Sequence, residues 1–417
     1  RIYDWAAWSY RTAGLAWEWV FGAASLVVAL AALAAIPGLS LLPYGYFLES
    51  GGRVARTGKL SSGFIGVRLA ARAGGIVLGA FLSLLPLRFT SMMLGSARIV
   101  GNPDTIFAWR LGHNILTAVL LTHIVIACAR GGRLRSFLWP FPHPWSLLVF
   151  AGRAIAGCGR FLWALVRLDR AGMARQIRAG WDVLTSPGRD FRRRPLATIA
   201  QGYVAGREAV WNFIVGLRLP YYFSLGFRGL IGTWVWLAIP TSLLAAGTRY
   251  PALGWIGAIM LFFVVMYLPF LQTRFAMQNR LAAMFDYKAV RYDFRRAPLM
   301  MWIALTVALV SALPLYLLYI EYPPEQIRWL PELVFTAFLF PAHLLTGWAY
   351  TCAVHRTKPA HWAWRWPTWF ALAAPAALYV LILFFVQYIA QDGRLNLYDQ
   401  HAFVTPFFSE LTNLKGN

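Results

Sequence analysis

Long apolar runs alternate with short polar stretches along most of this chain. Runs over 19–47, 74–94, 111–129, 229–246, 253–271, 298–320, 334–353 and 368–390 approach or exceed the roughly 20 residues that a helix needs to cross a bilayer. They predict eight membrane helices. Pro43, Pro86, Pro240, Pro269, Pro314, Pro341 and Pro375 fall inside these runs. Each removes a backbone donor and tends to kink its helix.

The order of the runs repeats. LLPYGYF, a basic stretch and an apolar run carrying SLLPL come first; YLPF, a second basic stretch and a run carrying SALPL follow later. Pro43 answers to Pro269, and Ser83 to Pro86 answers to Ser311 to Pro314. Leu121-Thr122 before Cys128-Ala129 is matched by Leu345-Thr346 before Cys352-Ala353, each followed by a basic turn and Trp-Pro. The pattern predicts an all-α, polytopic integral membrane protein of two parallel four-helix repeats. Matching helices cross in the same direction, as in some transporter halves. The repeats are expected at 1–247 and 248–417.

The first repeat carries a basic insertion at 130–228. Its 145–184 stretch has no internal proline, and Arg153, Arg160 and Arg167 recur every seven residues, on one helical face. Apolar residues supply the other face, so the segment reads as an amphipathic helix lying in the headgroup plane. A second such helix is expected over 196–219. A crossing by 145–166 would place arginines near mid-bilayer at roughly 2.5–3.5 kcal/mol each. It would also reverse the sidedness of every later loop.

Composition narrows the class. The chain is 59% hydrophobic with a mean hydropathy of +0.54, and only 13% is charged. A soluble domain carries about 25% charged residues, so a bilayer is the solvent these runs require. The net charge is +23. Most Lys and Arg fall in the stretches after the first, third, fifth and seventh runs, which places those loops in the cytoplasm. Both termini are then expected on the non-cytoplasmic side. The basic balance is assigned to topology and to anionic headgroups, not to nucleic acid. The three cysteines have no metal-binding spacing. No nucleotide-binding loop, HExxH, GxSxG or paired-carboxylate pattern occurs, so no catalytic residue, metal or cofactor is expected, and the chain is not read as an enzyme.

Ionisable groups inside spans are the candidates for function. Arg88 follows Pro86 and either snorkels to headgroups or faces a cavity and holds an anion. His113 and His123 are ten residues apart, about 280° around a helix, so they do not share a face. His343 stands in the seventh run without a counterpart in the repeat. Each histidine is either a ligand group or a partner for a neighbouring helix backbone.

Four stretches, LRLPYYFSLGFRGLIGTWVWLAIPTSLLAAG, YLPFLQTRFAMQNRLAAMF, RWLPELVFTAFLFPAHLLTGWAY and LYDQHAFVTP, together resemble an uncharacterised family of bacterial multi-pass membrane proteins. The resemblance covers most of 130–406. It implies a multi-pass protein of the bacterial inner membrane and carries no activity or site residues. The functional expectation is transport or lipid handling of an anionic or amphiphilic ligand, with anionic headgroups on the cytoplasmic side as partners. The alternative is a non-catalytic subunit or scaffold with membrane-protein partners or further copies of itself.

Changing Arg153, Arg160 and Arg167 together to Gln is expected to weaken binding to anionic vesicles. A basic residue near such a surface contributes about 1 kcal/mol. Unchanged flotation of the triple variant with anionic liposomes would remove the shelf from this role.

Overall fold

The computed structural model describes residues 2–36, 38–129, 134–138, 208, 211–318, 329–389 and 396–399. Among them the chain is helical, with no strand. Six helices contain segments long and apolar enough to cross a membrane, or seven when one bent helix pair is counted as a single span. The amphipathic helix expected at 145–184, with Arg153, Arg160 and Arg167, lies outside the described residues; of the one expected at 196–219 only 208 and 211–219 are described, where 211–216 is helical and leads through a turn into the helix that starts at Leu219. The chain divides into two compact units. Residues 1–70 group with 218–417, and 71–217 form the other unit; this grouping does not follow the sequence halves at 247.

In the first unit, α1 (Ile2–Ala34) and α2 (Leu41–Thr57) replace the single run expected at 19–47. Ile36 precedes a proline in the sequence, which disfavours helical continuation. Gly38 then sits at φ +79°, where glycine has no Cβ penalty. The Trp19 ring lies 4.8 Å from Phe64, just beyond the end of α2. The middle of α1 is therefore beside the end of α2, so the 19–34 half of α1 runs antiparallel to α2.

The unit is assembled around α2, with fourteen of its seventeen residues buried. It packs against α6 (Leu219–Ala246), α7 (Pro251–Gln278) and α10 (Trp329–Val354). Glycines permit these approaches. A Cβ on Gly45 would overlap the Tyr222 carbonyl of α6. One on Gly52 would come within 2.8 Å of Ala276 of α7, and one on Gly51 within 2.8 Å of the His343 carbonyl of α10. Close backbone approach through small residues compensates for the missing hydrophobic drive between helices in lipid.

Polar groups of α2 are bonded across those contacts. Gln272 Nε2 donates to Tyr44 Oη and to Thr233 Oγ1, both at 2.9 Å. Glu49 pairs with Arg56 at 2.6 Å and accepts from Tyr221 Oη at 2.8 Å. Arg56 Nη1 also donates to the Ala276 and Met277 carbonyls at the end of α7. Thr351 Oγ1 lies 3.1 Å from the Val54 carbonyl and 3.0 Å from that of Ala55.

Two basic stretches share a local conformation. Gly58 at φ +72° closes α2, Lys59 is extended, and a 3₁₀ turn spans Leu60–Gly63. Asn279 at φ +53° closes α7, Arg280 is extended, and a 3₁₀ turn spans Leu281–Phe285. The capping residue stands fifteen positions after Pro43 but ten after Pro269, so the prolines and the caps align in different registers. The continuations also differ. After the first turn comes the unbroken α3 (Val67–Val100). After the second come α8 (Tyr287–Arg296) and α9 (Pro298–Leu318), bent by 116°. α11 (Trp362–Ile389) and the short α12 (Asn396–Asp399) complete the described residues of this unit.

The second unit holds most of α3, with α4 (Pro103–Ala129) and α5 (Leu134–Leu138). The polar loop expected at 95–110 contracts to Gly101–Asn102. Gly101 takes φ +79°, and Asn102 Oδ1 accepts from the Asp104 and Thr105 amides, a helix cap reinforced by Pro103 in the first turn.

Gly226→Ala, where a Cβ would overlap the Leu41 carbonyl, is expected to lower the apparent unfolding temperature in detergent. Overpacking of this kind costs about 1–3 kcal/mol. Gly95→Ala, which meets nothing within 4 Å, should leave it unchanged. Equal temperatures for the two variants would contradict close packing of α2 on α6.

Candidate functional site

The sequence candidates occupy three kinds of environment. Arg88 is exposed on α3. His113 Nδ1 is 2.9 Å from Thr90 Oγ1, joining α4 to α3. His123 Nε2 is 2.8 Å from the Phe137 carbonyl, joining α4 to α5. Both histidines thus act in helix packing, and neither lines the described cavity. His343 is buried in α10, with its ring stacked on Phe47 at 5.9 Å. Gln272, on an apolar helix, is buried and tied to Tyr44 and Thr233. Arg153, Arg160 and Arg167 fall outside the described residues.

The cavity is assembled around α8. This decapeptide, YKAVRYDFRR, has too many charges to cross a membrane and lies outside the apolar run that starts at Pro298. Its N-terminus is capped by Asp286, which accepts from the Ala289 amide. The same carboxylate receives Arg274 Nη2 at 2.8 Å, and Arg274 Nη1 donates to Tyr350 Oη. Val290 and Asp293 face inward. Phe294 meets Tyr267 and Phe270 edge-on at 5.8 and 5.1 Å, fixing α8 against α7.

The inward face leaves Arg291 and Arg295, four positions apart, on the exposed side. The Arg295 carbonyl accepts from the Ala360 amide at 2.9 Å, and Arg356 reaches the Arg296 carbonyl. These bonds satisfy the last carbonyls of α8 and hold the start of α11 beside it. Arg365, Trp366 and Trp369 then enter the same space. The result is an open cleft of about 500 Å³, with Phe263, Met266 and Leu372 as its apolar lining and Arg291, Arg295 and Arg365 as its cations.

Charge in the cleft is unbalanced. The described ion pairs join Arg53 and Arg56 to Glu49, and Arg274 to Asp286. None engages Arg291, Arg295 or Arg365 among the described residues. Trp366 and Trp369 are exposed beside them, amphipathic rings of the type that settles at headgroup level. The arrangement suits a molecule with an anionic head and an apolar body. Guanidinium forks bond phosphate and carboxylate in bidentate fashion, and Phe263, Met266 and Leu372 offer no hydrogen bonds in return. No cluster of three or more His, Cys, Asp or Glu suited to a metal occurs among the described residues.

Asp293 is the acid behind this wall. Burial pushes its carboxyl up to about 6, opposed by Arg274 and Arg296 and assisted by Asp286. Its Oδ2 is buried without a hydrogen-bond partner.

Sequence reading passed over Arg291, Arg295 and Arg365 because their charges also satisfy the positive-inside pattern. The available signal was the i, i+4 arginine pair in a short aromatic helix, together with the Trp-rich stretch HWAWRW. Comparison of the chain with protein-family models, curated proteins and solved structures found no match.

The raised Asp293 group stabilises the fold in its neutral form. That contribution is complete below the ordinary carboxyl range and is lost as pH rises through about 6. Asp293→Asn should match the wild type in apparent unfolding temperature below about pH 4, exceed it increasingly as pH rises to about 6, and hold a constant margin above that. Parallel pH profiles would refute the assignment.

Proposed function

We propose that this chain is a multi-pass membrane protein that binds an anionic amphiphile, of the phospholipid class, at the cleft between α7, α8 and α11, and passes it between bilayer and protein. The observation that carries the reading is the set of three arginines with no acidic partner among the described residues, beside an apolar lining. In this reading the basic ends of α2, α7 and α10 face the cytoplasm, where anionic headgroups attract juxtamembrane cations.

Eight apolar runs in two parallel four-run repeats remain the proposed architecture, the first run folding back on itself as α1 and α2, with a bacterial inner membrane as the location. The shared cap-and-3₁₀ conformation after α2 and α7 supports the duplication. One part of the proposed topology is revised. Because α1 returns antiparallel to α2, the first apolar run does not carry the chain across once, and the N-terminus is placed on the cytoplasmic side. The C-terminus keeps its non-cytoplasmic assignment. The scaffold reading draws on α3, of whose apolar window only 6% is buried, but lipid covers such a helix equally well.

The test is lipid binding by the purified full chain. Arg291, Arg295 and Arg365 changed together to Gln should reduce retention of phosphatidylglycerol, measured by native mass spectrometry, by roughly a hundredfold. That follows from about 1 kcal/mol per interfacial cation and a factor of ten for each 1.4 kcal/mol. Scrambling of labelled anionic lipid in liposomes should fall with it. Retention and scrambling equal to wild type would exclude the cleft.

A further inference from the structure

Viewed along α10, Glu332, Thr336, His343, Thr346 and Tyr350 fall within one narrow stripe, because their spacings are near multiples of a 3.6-residue turn. The stripe climbs about 27 Å at 1.5 Å per residue, close to the thickness of a bilayer's hydrocarbon core. All five side chains are buried. The lower end is bonded: Thr273 Oγ1 meets Thr346 Oγ1 at 3.3 Å, and Tyr350 Oη accepts from Arg274, which holds Asp286. The upper end is not. Glu332 Oε2 and Thr336 Oγ1 are buried with no partner, although Glu332 is only 7% exposed and Thr336 fully enclosed.

An acid in the first turn of a helix ordinarily stabilises it from the surface. That role requires no burial, and it leaves the Thr336 hydroxyl unexplained. The partner helix shows the same feature. On α9, which packs along α10, Trp302 Nε1 and Thr306 Oγ1 are also buried without partners. Four unsatisfied polar atoms on two packed membrane helices are costly, and a polar line retained inside a bilayer marks a path for ions or protons.

The chemistry favours a proton. The stripe holds one carboxyl, one imidazole, one phenol and two hydroxyls, groups that exchange protons or relay them. The helices around it add few charges. Residues 298–314 of α9 contain no titratable side chain, and Glu18 is the sole ionisable group in the 16–34 segment of α1. On α2 the ionisable groups are Tyr44, Tyr46, Glu49, Arg53 and Arg56; on α7 they are Tyr267 and Arg274. Glu49 is already neutralised by Arg56, and Arg274 by Asp286. Asp293 of α8 lies with Arg274 at the lower end.

We infer that α10 carries protons across this protein, with Glu332 as the carboxyl that takes a proton at one end and His343 as the station at mid-depth, about 16 Å further along the helix. The Glu332 carboxylate takes up a proton from the aqueous side and becomes a carboxyl, then gives that proton to the neutral His343 imidazole and is a carboxylate again; the imidazolium in turn releases it and returns to imidazole. The proton leaves past Tyr350 towards the Arg274–Asp286 and Asp293 acids. This inference does not rest on the amphiphile reading, because no residue of the stripe lines the cleft.

The test uses the full chain in phosphatidylethanolamine–phosphatidylglycerol liposomes. A hydrophobic carbodiimide, which captures buried protonated carboxyls, is applied between pH 5 and 9, and the adduct is located by mass spectrometry. The expected result is an adduct at Glu332 that declines as pH rises. Under a potassium–valinomycin clamp, an imposed pH gradient should drive proton entry above the rate of protein-free liposomes. Glu332→Gln should reduce it to that rate, and Glu332→Asp should restore part of it. His343→Gln should slow entry while keeping the adduct. The triple arginine variant of the cleft should retain both signals. Absence of an adduct at every pH, proton entry no faster than in protein-free liposomes, or equal entry in wild type and Glu332→Gln would overturn the inference. Entry driven by a sodium gradient and indifferent to pH would do so too.

Discussion

The larger unit depends on satisfying a polar helix in its centre. α2 carries Glu49, Arg53, Arg56, Ser50 and three glycines in seventeen residues, a composition that would not hold a helix in lipid unaided. Its burial works because α6, α7 and α10 each supply partners: Tyr221 for Glu49, the α7 carbonyls for Arg56 and Thr351 for the last α2 carbonyls. In a low-dielectric interior such bonds are strong when complete and costly when broken. The glycines allow the helix axes close enough for those bonds to form.

From that centre the cleft follows. Arg56 fastens the end of α2 to the end of α7, and Arg274, near that end of α7, fixes the cap of α8 through Asp286. With its cap held and Phe294 wedged against Tyr267 and Phe270, α8 has one orientation, and Arg291 and Arg295 point away from the core. The bond from Ala360 to Arg295 brings Arg365 and the tryptophans to the same place. The three cations therefore converge because Arg274, Asp286 and Phe294 fix α8 behind them, and none of the three forms an ion pair among the described residues.

The same helix bundle separates two kinds of polar group. Near the basic ends ion pairs and caps engage Glu49, Arg56, Arg274 and Asp286, while Asp293 Oδ2 is left without a partner. Glu332 Oε2 and Thr336 Oγ1 on the upper half of α10, and Trp302 Nε1 and Thr306 Oγ1 on α9, are buried without partners. A protein that needed only packing would fill those positions with apolar residues, as it does at Leu339, Leu305 and Leu309. The contrast between the satisfied and unsatisfied halves of α10 marks its upper half for exchange with something other than a neighbouring side chain.

Much of this was legible in the residues. Long apolar runs forced helices because a backbone in lipid must bond to itself: α7, α9 and α10 fall on the runs that begin at 253, 298 and 334, while α6 begins ten residues before its run at 229. The lysines and arginines marked one end of those helices. The basic stretches after α2 and α7 share a cap and a 3₁₀ turn, at different distances from the prolines that precede them. What sequence could not decide was where polar groups find partners. The apolar run at 19–47 hid a reversal, because the returning helix is stabilised by residues of α6, α7 and α10 rather than by its own pattern. Arg291 and Arg365 are brought to one cleft only by the packing of α8 and α11, with two long helices between them in the chain. Local periodicity sets which segments are helices and which ends are charged; the pairing of buried polar groups, which is non-local, sets where the helices turn back and which charges are left free to bind.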